Sequence, residues 1–557
     1  MSHTTDPNPD ALAPSAMDRP VTSRYRGWVL CLLLIGICLG LWGLNVALPE
    51  ATYSPDWILG ENGNQLFRAD QLHSGKALYR DIDCQYGPLP IWIWHGFTLI
   101  AGNSIPANVL FQNLLTLLLI ALLFWWTTGH ATRRSTVSAI ALALGVLTFV
   151  RTPYLHLIAS PSANFEYLTF ERLCLLGLMI LWRPPEGRPV KSAAGLALLF
   201  LTWQTVKVGG AFIGLAAYGL MDVFWLGLQR RTGLLRPWLR WWMVTGVGVV
   251  LLEALRCFLF VLCFGTEQGW RSAWPLYVAD EYQRTWLTLW ANPRHFVTVI
   301  LPILALIAPL PWLVAAGLRR RRGQRAQLQP AELLLFQAAV GTSFYLLAAL
   351  PKFGYFGHEW HFFQYQWVLL PLALAILHRL PWLGLSLLLL VHAGPANRII
   401  QELRHSPPLQ ELTRLDTLFG PIITTKDEAR GLLIQQALKE AQSSPRPRSL
   451  IMGTWGGGGW YVVAQEPHRP HNIFFSHAII RRPTDNAQFA KLLALTDLVL
   501  VQIRPATSAN GSKWEWIGEV AGADIAKTLH ESFTPLPSAQ PAVESGWILL
   551  HRRQMTE

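Results

Sequence analysis

Apolar residues in this chain come in long blocks separated by short polar stretches, many of them basic. Residues 27–48, 107–126, 241–264, 296–318 and 333–350 are each close to the ~20 residues that a helix needs to cross ~30 Å of hydrocarbon. The run 88–100 is shorter. At about 13 residues it spans only ~20 Å as a helix, so the pattern predicts an element lying at the membrane interface. Several further runs, such as 192–206, are short but apolar throughout. Beyond residue 394 the long runs stop. Residues 426–441 have helical periodicity, and 449–452, 498–501 and 547–551 read as short strands. The pattern predicts an α-helical polytopic membrane protein with a C-terminal α/β domain over 396–557.

Basic residues orient the spans. Arg19, Arg24 and Arg26 precede the first apolar run, and clusters recur at Arg133/Arg134, 183–191, 230–240, 319–325 and His378/Arg379. Short loops rich in Lys and Arg stay cytoplasmic. Placing these clusters inside gives about eleven crossings, a cytoplasmic tail at 1–26, a transmembrane domain over 27–395 and an extracytoplasmic C-terminal domain. The first apolar run lacks a small-residue cleavage site and reads as an uncleaved signal-anchor. The outer loops are then 49–106, 152–166, the turn around Lys207, 265–295 and 351–361.

Composition narrows the function classes. Only 14% of the 557 residues are charged, against roughly 25% in soluble globular chains, and 52% are apolar. A soluble cytosolic enzyme is excluded. The net charge of +12 lies in loops beside the spans rather than on one soluble face, which gives no footing for nucleic acid. The six Cys show neither a disulfide framework nor metal-type spacing.

The first outer loop carries the densest candidate chemistry. From Gly60 it reads GENGNQLFRADQLHSGKALYRDIDCQYGPLPIWIWHG, with Glu61, Asp70, Asp81 and Asp83 interleaved with Arg68, Lys76 and Arg80. Residues 61–74 form an amphipathic helical pattern, and Tyr86-Gly87-Pro88 turns the chain into the aromatic interfacial run. Together they predict a structured, acidic platform on the outer leaflet.

That arrangement resembles the GT-C glycosyltransferases, the multi-spanning enzymes that take sugars from polyprenyl-phosphate carriers. Bacterial members similar to the protein mannosyltransferases and lipid A aminoarabinose transferases show the same order. An acid follows the first span, a helix ends in small-Gly (Ser74-Gly75), then come Tyr79-Arg80-Asp81 and Gly87-Pro88-Leu89. The resemblance implies a catalytic carboxylate at Glu61 or at Asp81, with Asp83 in support. Two later segments are similar to the family as well: the Lys207 turn running into Gly209-Gly210, and the loop from Lys352 with His358 and His361.

The chemistry is consistent with this. Transfer from a lipid-linked phosphate needs a carboxylate to accept the proton of the acceptor hydroxyl. It also needs cations for the charge that develops on the leaving phosphate. Arg80, Arg151, Lys207 and Lys352 fall on the outer face in this topology, as exceptions to the positive-inside pattern. Arg80, Lys207 and Lys352 are therefore expected phosphate contacts, and His358 and His361 headgroup or sugar contacts. The expected partners are a polyprenyl-phosphate-linked sugar, a lipid, glycan or protein acceptor, and membrane lipids. The sequence assigns no cofactor, and Asp280-Glu281 leaves room for a divalent cation. His358-Glu359-Trp360-His361 lacks the zinc-protease spacing, and 456–459 lacks the Lys of a phosphate loop. Glu166 and Glu171 lie near an outer helix end beside Arg172. Asp222 and Glu253 sit in apolar stretches, as they would in a secondary transporter, but no internal repeat accompanies them. A non-catalytic envelope-polysaccharide assembly protein is the other alternative.

Overall fold

The structure is a computed structural model. It describes residues 61–78, 82, 87–128, 168–229, 232–264, 317–318, 332–341, 345, 382–384, 386, 412–417, 419–425, 449–452, 473–474, 493–494, 496–505, 514–516, 522–535 and 547–553. The expected spans 27–48 and, but for its last two residues, 296–318 lie outside the described residues, as do the helix expected at 426–441 and the bulk of 342–350.

The described membrane-side helices are α1 (Glu61–His73), α2 (Leu89–Ala101), α3 (Ile105–Thr128), α4 (Leu168–Leu181), α5 (Lys191–Val206), α6 (Val208–Gln229) and α7 (Leu235–Phe264). A further apolar helix, α8, covers Glu332–Gly341. Their shared core joins Leu123 and Trp126 of α3, Leu178 of α4 with Trp182 just after it, Leu196 and Trp203 of α5, Tyr218 and Met221 of α6, and Phe336 of α8. Segments within α6 (Val208–Leu228, mean hydropathy 1.7) and α7 (Leu235–Cys263, mean hydropathy 2.2) are long and apolar enough to cross a membrane. On α7, Met243, Val247, Val250, Leu251 and Leu262 are each at least 60% exposed. A contiguous apolar flank of that kind is a poor surface for water and a suitable one for lipid.

Local chemistry sets the ends of the platform helices. α1 stops where Gly75 takes a left-handed φ of +82°. The Gly75 amide then donates to the Leu72 carbonyl (2.9 Å) and the Lys76 amide to that of Gln71 (3.1 Å), which satisfies the last carbonyls of the helix in a Schellman turn. α2 is entered through Pro88, carries Pro90 in its first turn and is 13 residues long, too short to cross.

Side-chain amides tie the platform together. The Trp94 indole donates to the Gln65 carbonyl (3.1 Å) and Asn103 to that of Leu66 (2.9 Å). Asn108 donates to Gln65 Oε1 (2.8 Å) and Gln112 to Asn108 Oδ1 (3.0 Å), so a buried polar relay runs from α1 into α3. On the other side, Leu72, Leu78, Ile82 and Ile91 pack with Cys257 and Phe260 of α7. The first loop and the C-terminal end of α7 therefore lie at the same end of the bundle.

The opposite end is closed by a buried ion pair. Asp222 of α6, 0% exposed, accepts five hydrogen bonds: two from the Arg188 guanidinium (2.5 and 2.7 Å) and one each from the indoles of Trp182 (2.9 Å), Trp238 (3.1 Å) and Trp242 (2.9 Å). The guanidinium also lies 4.4 Å from the Trp241 ring and donates to the Arg183 carbonyl. A carboxylate has about four lone-pair sites, so Asp222 is saturated. The basic clusters 183–191 and 230–240 thus meet at one end, away from the first loop.

The strands are β1 (Leu412–Thr417), β2 (Gly420–Thr425), β3 (Ser449–Met452), β4 (Ile473–Phe474), β5 (Leu498–Pro505), β6 (Trp514–Trp516), β7 (Phe533–Pro535) and β8 (Trp547–Arg552), with helix α9 (Gly522–Ser532) before β7. β3, β5 and β8 fall on the three expected strands. β1 and β2 form an antiparallel hairpin. The rest form a mixed sheet in the order β4-β3-β5-β8-β7, with β6 on the end of β5. β3 pairs in parallel with β4 and β5, and β8 runs antiparallel between β5 and β7. The unbroken apolar run Leu498-Val499-Leu500-Val501 suits a central strand covered on both faces. The hairpin turn reaches the platform, where the Ile105 amide at the start of α3 donates to the Phe419 carbonyl (2.9 Å).

Two outcomes follow from this packing. Replacing Arg188 by Met leaves Asp222 buried without its counter-charge, so stability should fall by about 3–5 kcal/mol. Adding Asp222→Leu should recover a large part of that loss in denaturant titrations in mixed micelles. At the other end, the rings of His73 and His95 stand 4.7 Å apart, and His73 Nε2 lies 3.1 Å from Thr98 Oγ1. Burial, and then the nearby His73, hold the His95 pKa below the ordinary 6.5. The folded state thus disfavours the charged ring, and the stabilisation present above pH 6.5 is lost as pH falls through the lowered value. Proteolytic protection of the α1–α2 segment should fall between pH 7 and 5 in the native protein. In His95→Gln that pH dependence should be weaker.

Candidate functional site

The sequence between Trp203 and Ala211 breaks one apolar run into two helices. α5 ends when the Lys207 amide donates to the Trp203 carbonyl (2.7 Å). Lys207 itself is extended (φ −160°, ψ 113°), and α6 begins with its first bond, from the Ala211 amide to the Lys207 carbonyl (3.2 Å). The amides of Val208, Gly209 and Gly210 thus form the first turn of a 22-residue helix, whose N-terminal end carries partial positive charge. Lys207 places a full charge beside it.

The first loop docks on this break. Its Gly87 amide donates to the Val206 carbonyl (2.9 Å). A Cβ at position 87 would overlap the Thr205 carbonyl, so the approach requires glycine. Gly87 and the Val206-Lys207 segment, which are far apart in sequence, are therefore fixed to one another through the backbone.

Beneath the turn lies a buried carboxylate. Glu171, in the first turn of α4, is 4% exposed. Its Oε2 lies 3.6 Å from the Lys207 ammonium, and its Oε1 accepts from the Tyr345 hydroxyl at 3.0 Å. Gly210 gives it room, because a Cβ there would sit 2.5 Å from Glu171 Oε1 and 2.7 Å from Trp203 Nε1. Trp203 and Gln204 are each 1% exposed. Neither the Trp203 indole N–H nor either Gln204 amide atom has a hydrogen-bond partner among the described residues. Buried donors of this kind are costly unless a ligand or solvent meets them. Cation, helix terminus and free indole donor together make an arrangement suited to an anion with several oxygens.

Arg256 of α7 holds Glu253 through two bonds (2.7 and 2.9 Å), and Cys257 Sγ lies 3.5 Å from the same carboxylate. With Asp222 also saturated, neither intramembrane acid of the sequence reading is an open ion site.

Of the expected site residues, Lys207 is placed at the break, and Glu61 is the first residue of α1. Arg80, Asp81, Asp83, Lys352, His358 and His361 lie outside the described residues, as does Asp280-Glu281. Sequence reading did not find the Glu171–Lys207–Tyr345 contact. Its signal was an acid inside a helix that is otherwise almost wholly apolar, LTFERLCLLGLMIL. Among the described residues no group of three or more His, Cys, Asp or Glu is arranged to hold a metal ion.

No family model matches this chain, and no curated protein does. Among solved structures, the chain is similar to the crystal structure of ArnT from Cupriavidus metallidurans bound to undecaprenyl phosphate. The identity is 13% and the TM-score 0.38, over 95% of this chain and 98% of that one. It is also similar to the archaeal oligosaccharyltransferase AglB from Archaeoglobus fulgidus in complex with an inhibitory peptide and a dolichol-phosphate. There the identity is 12% and the TM-score 0.35, over 86% of this chain and 70% of that one.

Proposed function

We propose that this protein is an integral membrane glycosyltransferase. It moves one sugar from a polyprenyl-phosphate donor to a hydroxyl of a lipid, glycan or protein acceptor at the extracytoplasmic face of the plasma (inner) membrane. The observation that carries this reading is the docking of Gly87 on Val206, which binds an acidic loop to a lysine-bearing helix terminus. Such a transfer needs a carboxylate base and a site for the phosphate, and this contact joins the loop whose sequence carries the acids to the lysine-bearing turn.

In this reading Glu61 or Asp81, supported by Asp83, accepts the proton of the acceptor hydroxyl. The acceptor oxygen forms its bond to the anomeric carbon as the bond from that carbon to the phosphate oxygen breaks. The electron pair leaves with the polyprenyl phosphate, whose added negative charge is met by Lys207, Arg80 and Lys352. His358 and His361 contact the sugar or headgroup. The lipid-facing flank of α7 borders the same end and gives the polyprenyl chain a route to the site. The 396–557 domain covers the site or recognises the acceptor, and the β1–β2 hairpin touches the platform at Ile105.

The test is sugar transfer by purified protein in liposomes, with labelled polyprenyl-phosphate sugars and an envelope lipid extract. One of Glu61→Gln and Asp81→Asn should lower turnover by about 10²–10⁴-fold while the protein stays folded. Lys207→Ala should weaken donor use. Transfer that survives unchanged in all three variants would remove the proposed roles.

A further inference from the structure

The buried Glu171 is the feature that a simple anion site does not explain. A pocket built only to grip phosphate would leave Lys207 and the α6 terminus uncompensated. Here a carboxylate sits 3.6 Å from the ammonium and is pinned by the Tyr345 hydroxyl at 3.0 Å. Its room is made by the missing side chain of Gly210, at the third residue of α6. Among the described residues, Lys207 at the α5–α6 break and Tyr345 beyond α8 face it, with Cys174 one turn along α4.

The reacting phosphate changes charge during the proposed transfer. The donor is a phosphodiester with one negative charge. The product is a phosphomonoester, which carries nearly two once pH exceeds its second pKa of about 6. A fixed carboxylate next to the phosphate-binding lysine repels the dianionic monoester about twice as strongly as the monoanionic diester. We propose that Glu171 is an internal counter-charge that sets the balance between phosphodiester and phosphomonoester at Lys207, and so keeps the lipid phosphate product from being trapped. Glu171 is thus a positioning and specificity residue that acts through Lys207. The inference rests on reading Lys207 as a phosphate contact.

Binding of two probes to full-length protein in nanodiscs tests it: undecaprenyl monophosphate, and its methyl phosphodiester, which stays monoanionic throughout. In the wild type, monoester affinity should stay nearly flat from pH 5.5 to 8. In Glu171→Gln it should tighten on the order of tenfold over that range, through pH 6, with the diester unaffected. Glu171→Asp, which keeps the charge, should behave as the wild type. Glu171→Gln profiles that match the wild type for both probes, while Lys207→Met weakens both, would overturn the role of Glu171 and leave the phosphate site standing. Lys207→Met that binds both probes as the wild type does would overturn the underlying reading. Should Glu171→Gln fail to fold, the wild-type profile decides: a tenfold tightening of the monoester through pH 6 would contradict the inference.

Discussion

Gly87 meets the end of α5 backbone to backbone, its amide on the Val206 carbonyl and no space for a side chain between them. Much of the platform end of the bundle depends on that contact. It fixes the turn into α2, and with it the platform that α1 and α2 form through Gln65, Trp94 and Asn103. It also fixes what the platform faces, because the next residue along α5 is Lys207. A side chain at position 87 would push the loop off the helix end and part the acidic loop from the only lysine described in the α5–α6 turn.

The charged residues divide into two groups with different physics. At the basic end, Arg188 and Asp222 are neutralised by each other and by three indole donors, in a cage with no capacity left for a ligand. Such a cage locks α4, α6 and α7 together. At the platform end, Glu171 and Lys207 stand further apart, at 3.6 Å, beside an indole N–H and a glutamine amide with no partner among the described residues. The first arrangement is closed and structural. The second is the one to which the proposed function assigns the incoming anion.

Elements governed by short-range chemistry were legible in the sequence. Ser74-Gly75 marks the end of α1 because left-handed φ favours glycine, and Pro88 with 13 following residues marks a helix too short to cross. The strands at 449–452, 498–501 and 547–551 carry enough β-branched and apolar residues to declare themselves. Long-range pairings were not legible. Tyr345 reaches Glu171 across 174 positions, and the three indoles of the Asp222 cage come from two different helix ends. Nothing local distinguishes them from other aromatic residues near a membrane. The β1–β2 hairpin was missed because LTRLDT and GPIITT lack the alternation of a half-buried strand. The expected phosphate contact at Lys207 fell on a helix break, and the Gly209-Gly210 pair was the visible sign of it.

The central claim is that the first loop and the α5–α6 turn form one site for a lipid-linked phosphate. Photocrosslinking tests it most directly, with a polyprenyl monophosphate carrying a diazirine beside the phosphate, reacted in nanodiscs and mapped by mass spectrometry. The account predicts labelled peptides from both 61–87 and 203–211, each suppressed by excess unlabelled polyprenyl phosphate. Competable label that falls on neither segment, or on one of them alone, would contradict it.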